Sequence, residues 1–350
     1  MIINSEDKLR LLSEHLANAP WVAIDTEADS LHAYPEKLCL LQISMPGRDE
    51  LIDPLAGIDL APFLAALAPH ELIFHGADYD LRLLQRTYNF KPTSIFDTML
   101  AARLCGYMQF GLNHLVHEKL KVSLEKGPQK MNWALRPLSE RMIRYARNDT
   151  HYLFPLAAKL REELAALGRL EWHAEMCTKL IEAAAKGSKQ EEDPWRIGGS
   201  DRLEPEQLAF LRELWLWREA EAKAVNTPPY FILSHEKLLT LAASKGEGVE
   251  TQLPRHWHAV RREAVKRALN KALHLPKKSL PKPRVRVVQR ATSSELSKFH
   301  QLKILRDKKA HELRLDPSLV ANKAQLLALA KGSSPVQAEL MSWQTKLLGL

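Results

Sequence analysis

Residues 21 to 31 read WVAIDTEADSL, and no other stretch limits the fold so sharply. The run starts as a buried strand and then reaches Asp25 and Glu27. In a strand, side chains two positions apart share a face, so the two carboxylates would stand side by side. An isolated carboxylate in a low-dielectric interior is costly or takes up a proton. The adjoining sequence offers no lysine or arginine to pair with them. Either a cation meets the pair, or a turn carries it out to solvent.

Around this run, short apolar segments alternate with helical patterns. WVAIDT, LCLLQIS and ELIFH are strand-like, bounded by Pro, Gly and Asp. DLRLLQRTYNF, from Asp80, and TMLAARLCGYM, from Thr98, carry apolar residues at helical spacing. Helices dominate from about 110 to 185, including one long helix expected to start at the Ser139 cap and stop at Gly168. Strands followed by mixed helices give an α/β or α+β domain over 1–185. The polar stretch KGSKQEEDP opens a linker, 186–202. Beyond it the chain repeats itself at an offset of 88: Arg218 falls on Arg306, Pro229 on Pro317, Leu241 and Ala242 on Leu329 and Ala330. Both copies read helix, Pro-containing turn, second helix, which implies two small homologous helical domains at 203–275 and 295–350. A basic, Pro-rich linker, 276–294, joins them.

Charge is unevenly placed. Between Arg255 and Arg290 stand twelve lysines and arginines against one acid, Glu263, while the first 90 residues carry a net charge of −8. A basic stretch of this density suits a phosphate backbone, and its plainer reading is a solvated linker. Cys39, Cys105 and Cys177 are odd in number and lack metal-site spacing, so neither disulfides nor zinc is supported. No apolar run is long enough to cross a bilayer, and the first ten residues lack a signal peptide's basic start and apolar core. A cytoplasmic protein with no membrane partner is expected.

If a cation is involved, two further acids come into play. Asp80 follows the strand ELIFH and a glycine, where sites in α/β domains gather. Asp149 lies four residues after Tyr145, so both project from one helical face. Four carboxylates are hard ligands, suited to Mg²⁺ or Mn²⁺ better than to zinc. Taken singly, each has a plainer reading: Asp25 and Glu27 as strand-end residues, Asp78 or Asp80 as a helix N-cap, Tyr145 as a core aromatic, Asp149 as a surface partner of Arg144 or Arg147. The specific signal is the order: an acid pair on a strand, an acid on the following helix, then Tyr-x-x-x-Asp on a helix.

AIDTEADSL with LCLLQIS, FHGADYDLRLL and YARNDTHYL resemble the three exonuclease motifs of the DEDD superfamily, in its tyrosine-containing branch. Aligned on the family's His-to-Asp spacing, the second motif's acid is Asp80. The segment GLNHLVHEKLKVSLEKGPQKMNWALRPLSE resembles the connecting segment of ribonuclease D, with Glu125 and Asn132 where Asp is usual; neither is a ligand position in the family pattern. The C-terminal repeats resemble HRDC domains, helical nucleic-acid-binding modules, and an exonuclease domain followed by two of them is the architecture of the bacterial ribonuclease D family.

The resemblance implies an α/β, ribonuclease H-like exonuclease domain with a mixed sheet, followed by two small all-helical HRDC domains. It implies Asp25, Glu27, Asp80, Tyr145 and Asp149 as the catalytic residues, with two Mg²⁺ or Mn²⁺ ions as cofactors. Asp25, Glu27 and Asp149 would hold one ion, Asp25 and Asp80 the second, and Tyr145 would orient the attacking water. Glu27 would also meet the terminal ribose hydroxyl, and Lys126 and Gln129 would touch substrate near the scissile phosphate. The implied reaction is 3′–5′ hydrolysis of RNA by a monomer, releasing nucleoside 5′-monophosphates, with tRNA precursors as substrates. A DNA 3′ exonuclease of the same superfamily and a catalytically silent nucleic-acid tether are the alternatives.

Overall fold

The three strand-like runs become the middle of a six-stranded sheet of order β1-β4-β3-β2-β5-β6. The chain runs β1 (Ile2–Ile3), α1 (Glu6–Leu16), β2 (Val22–Ala28), β3 (Leu38–Met45), β4 (Arg48–Ile52), α2 (Ala61–Leu67), β5 (Glu71–Phe74), α3 (Asp78–Tyr88), β6 (Ser94–Asp97), α4 (Thr98–Cys105), α5 (Leu112–Leu120), α6 (Glu140–His151), α7 (Leu153–Ala166) and α8 (Leu170–Ala185). These elements come from a computed structural model, which describes residues 1–125, 127, 130–186, 193–283, 291–332 and 340–350. The described residues divide into two compact units, one of 1–28, 38–187 and 289–350, the other of 29–37 and 188–288.

The sheet is mixed. β3 pairs antiparallel with β2 and β4, whereas β2–β5, β5–β6 and β1–β4 are parallel. Every residue of β3 is buried, as expected of a strand covered on both faces. On one face Val22, Ile24, Ile43 and Phe74 pack against α1, α2, α3 and α8. On the other, Ala23, Ile73 and Phe96 meet α4, α5 and α7, and Cys39, Leu40 and Leu51 meet α6. Asp25 and Glu27 point away from the Val22 and Ile24 face because side chains alternate along a strand. The register with β3 shifts between Glu27 and Ala28, so the regular ladder ends directly after the second acid.

Two local readings change. The single long helix from Ser139 to Gly168 is two helices, α6 and α7, with a break at Tyr152. Pro155 explains it, since proline has no N–H for the carbonyl four residues back and its ring crowds that carbonyl. β4 and β6 were not legible as strands. RDELI begins with three charged residues, and SIFD is only four residues long.

The last helices are α14 (Ser293–Leu313), α15 (Pro317–Val320), α16 (Lys323–Ala330) and α17 (Ser342–Leu348). They build no core of their own. Leu302, Ala310, Val320, Leu326 and Trp343 share one apolar cluster with Leu104, Leu115, Leu156 and Leu160. The buried Arg169 guanidinium donates to the carbonyls of Leu104 and Leu313, at 2.5 and 2.8 Å, and Trp172 stacks on Trp343 with 4.7 Å between centroids. Gly106 has φ +93°, and a Cβ there would lie 2.6 Å from the Arg314 carbonyl oxygen.

The second unit is built from α9 (Pro205–Ala224), α10 (Pro229–Ile232), α11 (His235–Ala243), α12 (Val249–Gln252) and α13 (Ala259–Leu273), around Leu211, Leu214, Leu241 and Val265. Tyr34 joins this cluster, with its hydroxyl on Glu219 and its amide donating to Asn226 at 3.1 Å. The sequence repeat is also a structural one. α10 and α15 begin at Pro229 and Pro317, and Arg218 donates to the Leu233 carbonyl as Arg306 does to that of Ala321, at 3.2 and 2.9 Å. Each arginine also pairs with the next residue, Glu219 or Asp307. Part of the basic run is neutralised within the unit: Arg261 pairs with Glu221, Arg262 and Lys266 with Glu250, and Lys271 with Glu213. Among the described residues, no helix is long and apolar enough to cross a membrane.

Candidate active site

β2 and α6 bring three of the sequence-predicted acids together. Asp25 and Glu27 stand at the end of β2, and Asp149 reaches them from α6, so that a carboxylate oxygen of each lies within 4.8 Å of the other two. The helix is fixed at both ends. The Ser139 side chain caps its start, accepting from the Met142 amide at 3.3 Å. Near its end the Thr150 hydroxyl is bonded to Ser44 of β3 at 2.7 Å, and Ser44 donates to Asp49 at 2.6 Å. Tyr145, one helical turn before Asp149, donates its hydroxyl to the Asp149 carboxylate. A Cβ on Gly127 would overlap the Tyr145 ring, so the backbone of that glycine lies directly against the tyrosine.

Asp80 stands apart from the trio, in the first turn of α3, only 5% exposed. It accepts from the hydroxyl of Thr26 at 2.5 Å, the residue between the two β2 acids. Lys126 and Gln129 lie outside the described residues.

The electrostatics are those of crowded anions. Burial first, then repulsion from Asp80, Asp149 and Glu27, raises Asp25 well above the usual carboxylate range. Glu27 is pushed up to about 9 by burial and by Asp149 and Asp80. Asp149 rises to about 7, burial outweighing the Tyr145 hydrogen bond, and Asp80 to about 6, burial outweighing the Thr26 hydrogen bond. Among the described residues no lysine or arginine forms an ion pair with any of the four. A trio of oxygen ligands this close, without a cationic partner, fits a hard divalent cation, which would return the carboxylates to their charged forms. The clustering favours a cation over a solvent-facing turn, since the three acids, each partly buried, converge on one another.

Two of the three, Asp25 and Asp149, line a cleft of about 770 Å³ together with Tyr145, His75, Gln109, Asn113, His114 and Gly127. A basic clamp holds the neighbouring loop. Arg136 grips Asp53 with two 2.6 Å hydrogen bonds and donates to the carbonyls of Cys39 and Trp133, both at 2.8 Å. No local pattern points to that pair, whose members are 83 residues apart. His75 was also missed, although its place directly after an interior parallel strand is where α/β sites collect.

Two family models match this chain: one described as 3′-5′ exonuclease over residues 1–165, one as HRDC domain over 207–250. A ribonuclease D of Gluconacetobacter diazotrophicus is 32% identical over 100% of this chain and 91% of its own length. The chain belongs to the ribonuclease D family. The Escherichia coli ribonuclease D is 28% identical over 99% of this chain and 91% of its own length. Its crystal structure, described as that of an exoribonuclease involved in structured RNA processing, superposes with a TM-score of 0.79, covering 100% of this chain and 98% of that one at 26% identity. This ribonuclease D family member therefore has the ribonuclease H-like exonuclease fold with a helical HRDC domain, and it is a 3′–5′ exoribonuclease. The exonuclease match and the clustered acids together indicate that it uses a divalent metal.

Proposed function

We propose that the cleft at the end of β2 binds the 3′ end of RNA and removes one nucleoside 5′-monophosphate at a time, with two Mg²⁺ or Mn²⁺ ions held by Asp25, Glu27, Asp80 and Asp149. The observation that carries this reading is the meeting of Asp25, Glu27 and Asp149 within 4.8 Å, with no cationic partner among the described residues. Two bound ions would stabilise the attacking and leaving oxygens of an in-line displacement at phosphorus. Asp25 would serve both ions, and Asp80, steadied by Thr26, would help to hold the second. Tyr145, held by its hydrogen bond to Asp149 and by the backbone of Gly127, orients the attacking water. Water oxygen bonds to the terminal phosphorus, the bond from phosphorus to the penultimate O3′ breaks, and the proton the water gives up is balanced by the one that O3′ takes from solvent. Glu27 contacts the terminal ribose hydroxyl, and Lys126 and Gln129 contact the backbone beside it.

For the rest of the chain we propose an exonuclease domain at 1–185, an HRDC domain at 203–275, and a second HRDC-like module at 295–350, with linkers at 186–202 and 276–294. The repeated arginine-to-carbonyl bonds of Arg218 and Arg306 support the second module. Structured RNA is held mainly through shape and backbone, which suits the basic run, and tRNA precursors with short 3′ trailers are the substrate class, acted on by a monomer.

The test is product analysis with a 5′-labelled single-stranded RNA bearing an unpaired 3′ tail, with and without Mg²⁺, alongside Asp149→Asn. Stepwise shortening that needs both Mg²⁺ and Asp149 is expected. RNA that is bound but never shortened would overturn the reading in favour of a nucleic-acid tether.

A further inference from the structure

His75 follows β5 directly. β2 and β5 pair in parallel at Ala23 and Ile73; Asp25 stands two residues further along β2, and His75 lies just past the end of β5. Both side chains line the same cleft. The backbone after His75 is clamped: Asp97, fully buried, accepts from the amides of Gly76 and Ala77 at 3.0 and 2.9 Å and also caps α4.

The hydrogen bonding fixes which nitrogen carries the proton. His75 Nδ1 is 2.9 Å from the Thr98 hydroxyl, and that hydroxyl donates its one hydrogen to the Phe74 carbonyl, also at 2.9 Å. Thr98 can therefore only accept from the ring, so Nδ1 is the protonated nitrogen and Nε2 is a lone-pair acceptor. Burial lowers the histidine's affinity for a second proton, with Asp97 acting the other way. Nε2 makes no hydrogen bond among the described residues, and the ring lines the cleft.

A fixed acceptor serves only a donor. The polynucleotide backbone is rich in acceptors, namely phosphate oxygens and ring oxygens, and the donors on bases differ from one base to another. An exonuclease that removes successive nucleotides whatever their base needs a donor common to all. At an RNA 3′ end two donors meet that need: the terminal 3′-hydroxyl, which Glu27 takes in the proposed reading, and the ribose 2′-hydroxyl, which DNA lacks. We propose that His75 Nε2 accepts a hydrogen bond from the 2′-hydroxyl of the nucleotide being removed, making His75 a residue that selects ribose over deoxyribose. The proposal rests on the exoribonuclease reading of the cleft and deepens it.

The experiment compares two RNAs that differ only in the 2′-hydroxyl of the last nucleotide, with single-turnover kcat/KM measured for the parent protein, His75→Ala, His75→Asn and His75→Gln. Affinities for AMP and dAMP supply a readout without turnover. Losing one neutral hydrogen bond predicts that His75→Ala drops about tenfold on the ribose end, changes little on the deoxyribose end, and brings the two affinities together. His75→Asn keeps a donor near Thr98 but has no acceptor at the Nε2 position, so it should behave like the alanine variant. His75→Gln can place its amide oxygen near the Nε2 position and should restore much of the preference. An unchanged ribose preference in a folded His75→Ala protein, equal losses on both ends, or loss of Mg²⁺-induced thermal stabilisation would overturn the proposal. A parent protein that shortens neither RNA would instead overturn the exoribonuclease reading of the cleft.

Discussion

Four neighbouring carboxylates, with no ion pair to a lysine or arginine among the described residues, make the metal-free protein less stable at high pH. Asp80, Asp149 and Glu27 titrate near 6, 7 and 9 in the folded chain, and Asp25 is also raised. Between the unfolded values, near 4, and these, the native state holds more protons than the unfolded state, so stability falls as pH rises. The contribution is complete below about pH 4 and lost as each folded value is passed. Metal-free protein should therefore melt at a progressively lower temperature from about pH 5 to about pH 9, and Mg²⁺ should raise the melting temperature most at the alkaline end. Asp25→Asn, freed of one repelling charge, should melt above the parent at about pH 8.5 without metal and gain little from Mg²⁺. Calorimetry across pH, with chelator or with Mg²⁺, checks both; a flat profile would contradict the crowding. The acids and Tyr145 were legible because their spacing along one strand and one helix carries the pattern. Arg136 and His75 were not, because what defines them is a distant partner, Asp53 in one case and Thr98 in the other.

Among the elements, those with a clean period were readable and those defined by their neighbours were not. β2, β3 and β5 announced themselves as apolar runs, whereas β4 and β6 are strands by virtue of the partners they pair with. The junction between α4 and α14 is another feature that no local pattern carries. Gly106 ends α4 in a left-handed conformation, with the Arg314 carbonyl in the space a side chain would take. Gly106→Ala meets both the positive φ and the close approach, and should destabilise the protein by about 1–3 kcal/mol. Urea denaturation checks this, and Gly57→Ala, where φ is also positive but nothing lies within 4 Å, separates the two effects.

Over the whole molecule, the final helices cannot be treated as an appendage. Removing 291–350 would strip Leu302, Val320 and Trp343 from a cluster shared with α4, α5 and α7, so a truncated chain would report on folding before RNA binding. Charge substitution tests the basic run more cleanly. Lys277, Lys278 and Lys282 are exposed, and replacing all three by Gln should weaken RNA binding and flatten its dependence on log salt by about 0.7 for each phosphate no longer neutralised. Fluorescence anisotropy over a salt series measures it, and an unchanged slope would show the segment to be a linker only. Tyr34, finally, sets a schedule for synthesis. It is translated 185 residues before Glu219, the acid that receives its hydroxyl. At about 5–20 residues per second, that delay is about 10–40 s. The nascent chain thus has time to pair β2 with β3 while the loop between them still waits for its helices.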